Sequence, residues 1–240
     1  MSIAKELSKY FKVFVLDQRN HGQSPHHPEH SYSAMSNDLL EFYHDLKIEK
    51  AILLGHSMGG KVVMQFTIDY PEKVLNLIVV DIAPWTHLSE NKSSTQIVDE
   101  HQQIIDGLMS IPVKTITSRV EADKLLAHWV RSETVRQFLL KNLKRENDNS
   151  FTWRFNLPSL ASNIRLLVGG ITPNRMNNQC TTPSLFIKGE KSSYIPNSRI
   201  AEITEIFPNS KVVTIRNAGH WIHAEQPIDF LAEVKDFLKL

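Results

Sequence analysis

Apolar residues occur along this chain in short blocks that predict buried strands, with amphipathic stretches between them. Five runs rich in Val, Ile, Leu or Phe lie at 12–17, 50–54, 75–81, 184–188 and 211–215. None of these runs alternates with polar residues, which is the pattern of strands covered on both faces. The runs therefore predict the strands of a largely parallel sheet.

Helical periodicity fills the intervals between these runs. Apolar residues in steps of three and four form one helix face, consisting of Tyr32, Met35, Leu39, Phe42 and Leu46. Further helices are predicted at 58–70, 198–207 and 225–239, and a short amphipathic helix begins at Ile3. Alternation of strands and helices predicts an α/β protein whose parallel sheet carries helices on both faces.

The alternation stops between residues 84 and 178, where helical patterns occur without a convincing strand. Because strands resume afterwards, this stretch is interpreted as a helical cap inserted into the sheet domain. The predicted organisation is a core of 1–83 and 179–240 with a cap, or lid, at 84–178.

Composition narrows the class of protein. The 240 residues carry 27 basic and 26 acidic side chains, and this balance does not favour a nucleic-acid groove. Cys180 is the one cysteine, so neither an internal disulfide nor a cysteine-based zinc site can form. Charged residues such as Lys5 and Glu6 interrupt any secretory signal, and no run reaches the length of a membrane span. We expect a cytoplasmic protein that acts on a small molecule.

The strongest chemical motif is the sequence GHSMG at 55–59, in which Ser57 is the central residue. A predicted buried strand enters the motif and a predicted helix leaves it, which is the setting of a nucleophile elbow. In that setting Ser57 is the candidate nucleophile, and the Met58 N–H is a candidate oxyanion donor. Gly55 and Gly59 are expected to leave room for the tight turn.

A serine nucleophile needs a base, and in this chain order the base comes last. His220 follows the run 211–215 on a predicted loop and is therefore favoured as the base. His223 lies closer to the last predicted helix, and we expect it to serve structure rather than catalysis.

Two carboxylates stand at strand ends where they could orient the base. Asp81 terminates a very apolar run, where an unpartnered charge would be costly. Glu190 lies between Lys188 and Lys191, which suggests a solvated turn. The burial argument favours Asp81, with Glu190 as the alternative and Ser192 as a source of an additional hydrogen bond at the same edge.

A polar loop, DQRNHGQS, follows the first apolar run at 17–24. Its residues Asp17 and His21 could contribute to catalysis. Since a base and an acid are already assigned, the favoured interpretation is a hydrogen-bonded scaffold loop.

Several segments together resemble the α/β-hydrolase superfamily, and most closely its branch of YbfF-like serine esterases: DQRNHGQS, GHSMGG, VVDIAPW, FIKGEKSSYI and NAGHWIHAEQP. The resemblance covers essentially the whole chain. It implies that Asp81 is the acid, that Ser192 supports Asp81 and His220, and that 84–178 is a helical cap shaping an acyl pocket.

The chain departs from that family at its start. Family members usually begin with two or three strands, and a loop after the third supplies an oxyanion donor. About 20–30 residues are therefore expected to be absent from the start of the chain. In the family's strand order, one of the missing strands would lie in the sheet between the predicted strands at 12–17 and 50–54. Either the recorded start lies too late, or this is a truncated form with an impaired oxyanion hole.

These observations predict a serine hydrolase of carboxylesterase or thioesterase type that cleaves small acyl esters through a catalytic triad of Ser57, His220 and Asp81. The chemistry requires no metal ion and no organic cofactor. The alternatives are acyl transfer or C–C hydrolysis on the same fold, or a non-catalytic module that binds an acyl ligand.

Overall fold

The computed structural model describes residues 3–85, 94–172 and 179–240. The contacts divide the chain into two compact units. The sheet unit comprises Met1–Leu16, Tyr32–Ser89 and Gly169–Leu240. The helical unit comprises Asp17–Ser31 and Glu90–Val168. The predicted core-and-cap boundaries stay a prediction, and the end of the predicted cap at 178 lies outside the described residues.

The sheet unit alternates strands and helices as its apolar periodicity predicts. Its α-helices are α1 (Ile3–Leu7), α2 (Tyr32–Asp45), α3 (Met58–Asp69), α8 (Ile200–Ile206), α9 (Ile222–Glu225) and α10 (Pro227–Leu238). Its strands are β1 (Ala51–His56), β2 (Val74–Val80), β5 (Ser184–Gly189) and β6 (Ser210–Ile215). Single 3₁₀ turns occupy Pro71–Lys73 and Asn197–Arg199.

The four strands form a parallel sheet in the order β1-β2-β5-β6, with apolar side chains on both faces. Alternate residues of a strand point to opposite faces. Leu77 and Val79 accordingly join one buried cluster with residues of α2, α3 and α8, whereas Ile78 and Val80 join another with residues of α10. Burial on both faces explains why these strands are continuously apolar.

The predicted strand at 12–17 is wrong. Residues 12–16 make no backbone hydrogen bond with any described residue, and Val15 is 80% exposed. Phe14 packs edge-on against Phe42 of α2, with ring centroids 5.4 Å apart. A strand requires a backbone partner, and within the described part of the chain β1 is the edge of the sheet.

The helical unit has its own apolar core. Its helices are α4 (Ser94–Met109), α5 (Arg119–Leu126), α6 (Glu133–Leu140) and α7 (Leu157–Val168). The expectation that this stretch contains no strand is wrong. Two three-residue strands, β3 (Leu143–Arg145) and β4 (Phe151–Trp153), pair as an antiparallel hairpin. They are too short to show a periodic signal, which is why the sequence pattern does not reveal them.

The polar loop at 17–24 belongs to the helical unit, where Asn20 is fully buried. Asn20 Nδ2 donates to Ser159 Oγ at 3.1 Å, and Asn20 Oδ1 accepts from the His27 N–H at 2.7 Å. Asp17 accepts from the Gln23 N–H, and the His21 ring packs near Phe155. Within this unit the loop has the hydrogen bonds expected of a scaffold.

Candidate active site

The predicted nucleophile elbow at Ser57 has the backbone geometry that its sequence motif requires. Ser57 stands between β1 and α3 with φ of 53° and ψ of −121°, a combination that residues with a Cβ rarely adopt. Its N–H donates to the Val80 carbonyl at 3.1 Å, and its carbonyl accepts from the Lys61 N–H at 3.1 Å. The neighbouring strand and the first turn of α3 therefore hold this conformation in place.

The glycines of the motif are not equivalent. A Cβ added to Gly55 would lie 2.3 Å from the backbone oxygen of Gly59, so the turn closes only around a glycine at 55. A Cβ on Gly60 would lie 2.5 Å from a methyl carbon of Ile82, whereas a Cβ on Gly59 would meet nothing within 4 Å. The expectation that Gly59 leaves necessary room is therefore wrong, because Gly60 makes the close contact instead.

Asp81 follows β2 directly and is completely buried. Its Oδ1 accepts from the Gly189 N–H at 3.0 Å, and its Oδ2 accepts from Ser192 Oγ and from His220 Nδ1, the latter at 2.8 Å. A buried carboxylate is tolerated only when hydrogen bonds replace its water, and three donors do so here. The backbone at Asp81 also has a positive φ of 49°.

His220 lies on the loop after β6, beside the carboxyl ends of the other parallel strands. Because a carboxylate only accepts, His220 Nδ1 carries the proton of its bond to Asp81, which leaves Nε2 able to accept. The Tyr194 ring stacks on the imidazole, with centroids 4.1 Å apart and planes 21° apart. Burial raises the pKa of the Tyr194 hydroxyl, and the Asp81 charge adds to this shift.

The structure thus brings Asp81, Ser192 and His220 into one hydrogen-bonded group. The alternative acid and the alternative base do not belong to that group within the described residues. Glu190 Oε2 accepts from the Asn217 N–H at 2.8 Å and makes no contact with His220 among the described residues. His223 lies on α9, where burial lowers the pKa of its ring.

Ser57 and His220 are not hydrogen-bonded to each other in the described part of the chain. Such catalytic bonds are often long without substrate and tighten when the substrate binds. Met58 is the first residue of α3, so its N–H has no carbonyl partner within the helix. That amide is available as a donor at the positive end of the helix dipole.

Two further residues near the elbow escaped the sequence reasoning. His56 donates from Nε2 to the His220 carbonyl at 2.8 Å, although it is the variable residue of the motif. Lys61, which is 2% exposed, donates from Nζ to the Gly169 carbonyl, and its ammonium lies 5.5 Å from the centre of the Tyr32 ring. Burial lowers the pKa of Lys61 to about 8. A lysine on a helix predicted to be amphipathic gives no sequence signal of such burial.

Comparison with known proteins identifies the family. A family model described as the alpha/beta hydrolase fold matches residues 1–227. The chain belongs to the α/β-hydrolase family. Among curated relatives, this α/β hydrolase is 36% identical to the sn-1-specific diacylglycerol lipase ABHD11 of Danio rerio over 99% of its own length and 73% of that protein.

Other relatives of this α/β hydrolase point to the same chemistry. It is 31% identical to Esterase YbfF of Escherichia coli over 98% of its own length and 86% of that protein. A solved marine microorganism esterase superposes with a TM-score of 0.90 at 42% identity, covering 98% of this chain and 88% of that one. The fold and branch expected from the sequence are confirmed, and the protein is an ester-bond hydrolase. Among the described residues, no helix has both the length and the apolar character needed to cross a membrane.

Proposed function

We propose that this α/β hydrolase is a serine esterase of carboxylesterase or thioesterase type, with Ser57 as nucleophile, His220 as base and Asp81 as the acid that orients it. The observation that carries the proposal is the 2.8 Å hydrogen bond from His220 Nδ1 to the buried Asp81 carboxylate. It fixes the tautomer whose Nε2 can accept a proton. The strained elbow at Ser57 supports the same assignment.

The reaction would proceed through an acyl-enzyme. His220 Nε2 takes the Ser57 hydroxyl proton as Oγ attacks the acyl carbon, and the Met58 N–H donates to the oxygen that becomes negative. The His220 imidazolium then protonates the leaving alcohol or thiol. Water, deprotonated by the same histidine, attacks the acyl carbon and releases the acid from Ser57.

Ser192 is proposed as a supporting residue. Its hydroxyl donates to the Asp81 oxygen that also accepts from His220, and it accepts from the Tyr194 N–H at 3.3 Å. Because Asp81 has no exposed surface, this hydroxyl takes the place of a water molecule at the carboxylate. It thereby satisfies the carboxylate oxygen to which His220 also donates.

A fluorophosphonate probe tests the proposal directly, because it phosphonylates only a serine activated by its base. The full chain and its Ser57→Ala variant would be treated with the probe and compared by intact mass. We expect one adduct on the parent chain and none on the variant, together with loss of p-nitrophenyl ester hydrolysis in the variant. Equal hydrolysis by the Ser57→Ala variant would refute the mechanism.

A non-catalytic acyl-binding module is the second candidate. The observation that favours it is that Ser57 and His220, both within the described residues, are not hydrogen-bonded to each other. This candidate predicts that the folded chain forms no adduct with the probe, although an acyl ester raises its melting temperature. Adduct formation at Ser57 would exclude it.

The substrate within the ester class is proposed to be a small acyl ester. The curated relatives carry two kinds of name, a diacylglycerol lipase and an esterase, so acyl length is the property to measure. Hydrolysis rates along a series of p-nitrophenyl esters of increasing chain length would support the proposal if they fall beyond short acyl groups. The cytoplasmic location expected from the sequence remains a prediction.

A further inference from the structure

Two carboxylates hold the loop that carries His220 by accepting from the backbone N–H groups of alternate loop residues. Glu190 accepts from the Asn217 N–H at 2.8 Å. Glu225 accepts from the Gly219 N–H at 2.7 Å and from the Trp221 N–H at 3.1 Å, one on each side of the histidine. These carboxylates bind the amides of the loop and leave the carbonyl of His220 itself to another partner.

That partner is His56. Its Nε2 lies 2.8 Å from the His220 carbonyl oxygen, and because a carbonyl can only accept, His56 must be the donor. The His56 ring also packs against the His220 ring, with centroids 4.6 Å apart, and against the ring of Trp221 at 5.2 Å. The residue before the nucleophile therefore contacts the residue proposed as base, both at its main chain and at its ring.

The surroundings of His56 keep it uncharged. Burial, together with the neighbouring rings of His220 and His223, lowers the pKa of His56 to about 3. A neutral ring can hold the carbonyl of His220 without placing a positive charge beside an imidazole that must itself become positive during the reaction. A permanent cation such as lysine would oppose that step.

We propose that His56 is a positioning residue for catalysis, which sets the orientation of the His220 imidazole through a hydrogen bond to the His220 carbonyl. This inference rests on the proposed function, because it assumes that His220 is the base. The nucleophile and the base are connected directly, since β1 ends at His56, the residue before Ser57, and the His56 side chain binds the His220 carbonyl. Movement of the nucleophile and movement of the base are thereby coupled through one residue.

The test compares three variants of the full chain. His56→Phe keeps a ring in the same space but removes the donor, and His56→Gln places an amide N–H at a similar reach. His223→Phe is the matched control, because His223 contacts the same His56 ring, at 4.9 Å, without a described hydrogen bond to the loop. The readouts are kcat and KM for a p-nitrophenyl ester, the rate of phosphonylation at Ser57, and the melting temperature.

We expect His56→Phe to lower kcat and the phosphonylation rate about tenfold with KM unchanged, as loss of one hydrogen bond felt in the transition state would. His56→Gln should restore both rates to within about threefold of the parent chain, and His223→Phe should stay in the same range. Parental rates in folded His56→Phe would overturn the proposal. So would an equal loss in His56→Phe and His223→Phe that Gln does not restore, because packing alone would then explain it.

Ser57→Ala, measured alongside, separates this inference from the proposed function. If that variant loses activity while His56→Phe keeps it, only the role of His56 fails. If Ser57→Ala remains active, the triad itself fails. Should His56→Phe not fold, His56→Met fills the same space with a flexible apolar side chain and allows the same comparison with Gln.

Discussion

The substitution Asp81→Asn tests whether the Asp81 carboxylate determines which ring nitrogen of His220 carries the proton. The two side chains have nearly the same shape, so the backbone N–H of Gly189 and the hydroxyl of Ser192 can still be accommodated. If the amide oxygen keeps the Gly189 N–H at the Oδ1 position, the NH₂ group takes the Oδ2 position, where it donates toward Ser192 Oγ, whose hydroxyl can turn to accept, and faces His220 Nδ1. That nitrogen must then accept, and the proton moves to Nε2.

A proton on Nε2 blocks removal of the Ser57 proton. In a comparable serine triad the same exchange lowers kcat about 10⁴-fold while leaving the geometry intact. Asp81 has no exposed surface in this protein, so no water molecule can substitute for the lost acceptor. We therefore expect a loss of about 10⁴-fold in kcat, equivalent to roughly 5 kcal/mol, with KM changed much less.

Glu190→Gln provides the matched control. It makes the same chemical change at the other carboxylate considered for this role, which accepts from Asn217 rather than from His220. Because that bond lies at the surface, we expect kcat to stay within about threefold of the parent value. Hydrolysis of a p-nitrophenyl ester, with a melting curve for each variant, supplies the comparison.

A folded Asp81→Asn variant that kept kcat within about tenfold of the parent would refute the orienting role of Asp81, since a proton on the wrong nitrogen of His220 causes a far larger loss. That role would also be refuted if Glu190→Gln lost more activity than Asp81→Asn. That outcome would transfer the orienting role to Glu190.

Three further predictions concern stability. Gly55→Ala should lower the free energy of unfolding in urea by about 2 kcal/mol or more, because its Cβ meets backbone at 2.3 Å, whereas Gly59→Ala should change it by less than about 1 kcal/mol. Lys61 has a pKa of about 8 when folded and about 10.4 when unfolded, so the unfolded chain binds the extra proton between those values. The free energy of unfolding of the parent should therefore rise by roughly 3 kcal/mol relative to Lys61→Met between pH 7.5 and 10.5, and parallel curves would contradict this. Asn20→Ala removes a buried amide with at least two hydrogen bonds and should cost about 2–3 kcal/mol in the same assay, so an unchanged urea midpoint would count against the scaffold interpretation.

Much of the fold follows from the sequence because its strands are buried on both faces. The observed strands begin and end within two residues of the predicted runs at 50–54, 75–81, 184–188 and 211–215. The run at 12–17 shows the limit of that reasoning. Its residues are apolar enough for a strand, but a strand also needs a neighbour, and apolar content does not report one.

The candidate site likewise contains residues that the sequence predicts and contacts that it does not. The predicted positions of Asp81 and His220 follow from strand ends and from the cost of an unpartnered charge, and the structure joins them. The contact of His56 with the carbonyl of residue 220 joins segments 164 positions apart. No local sequence pattern predicts this contact, because every residue has a main-chain carbonyl, whatever its side chain. The burial of Lys61 was missed for a related reason, since its acceptor, the carbonyl of Gly169, lies 108 positions away.

Ser57 and Asp81 share one backbone property, a positive φ in a residue that is not glycine. Each such conformation costs of order 1–3 kcal/mol, and glycine at either position would relieve part of it. At Ser57, stability therefore favours glycine, and only selection for turnover opposes that replacement. At Asp81, glycine would leave three buried donors without an acceptor, which outweighs the relief of backbone strain. In a lineage released from such selection, we expect position 57 to be among the first to drift toward glycine, so the residue found there in related chains would record whether catalysis has been retained.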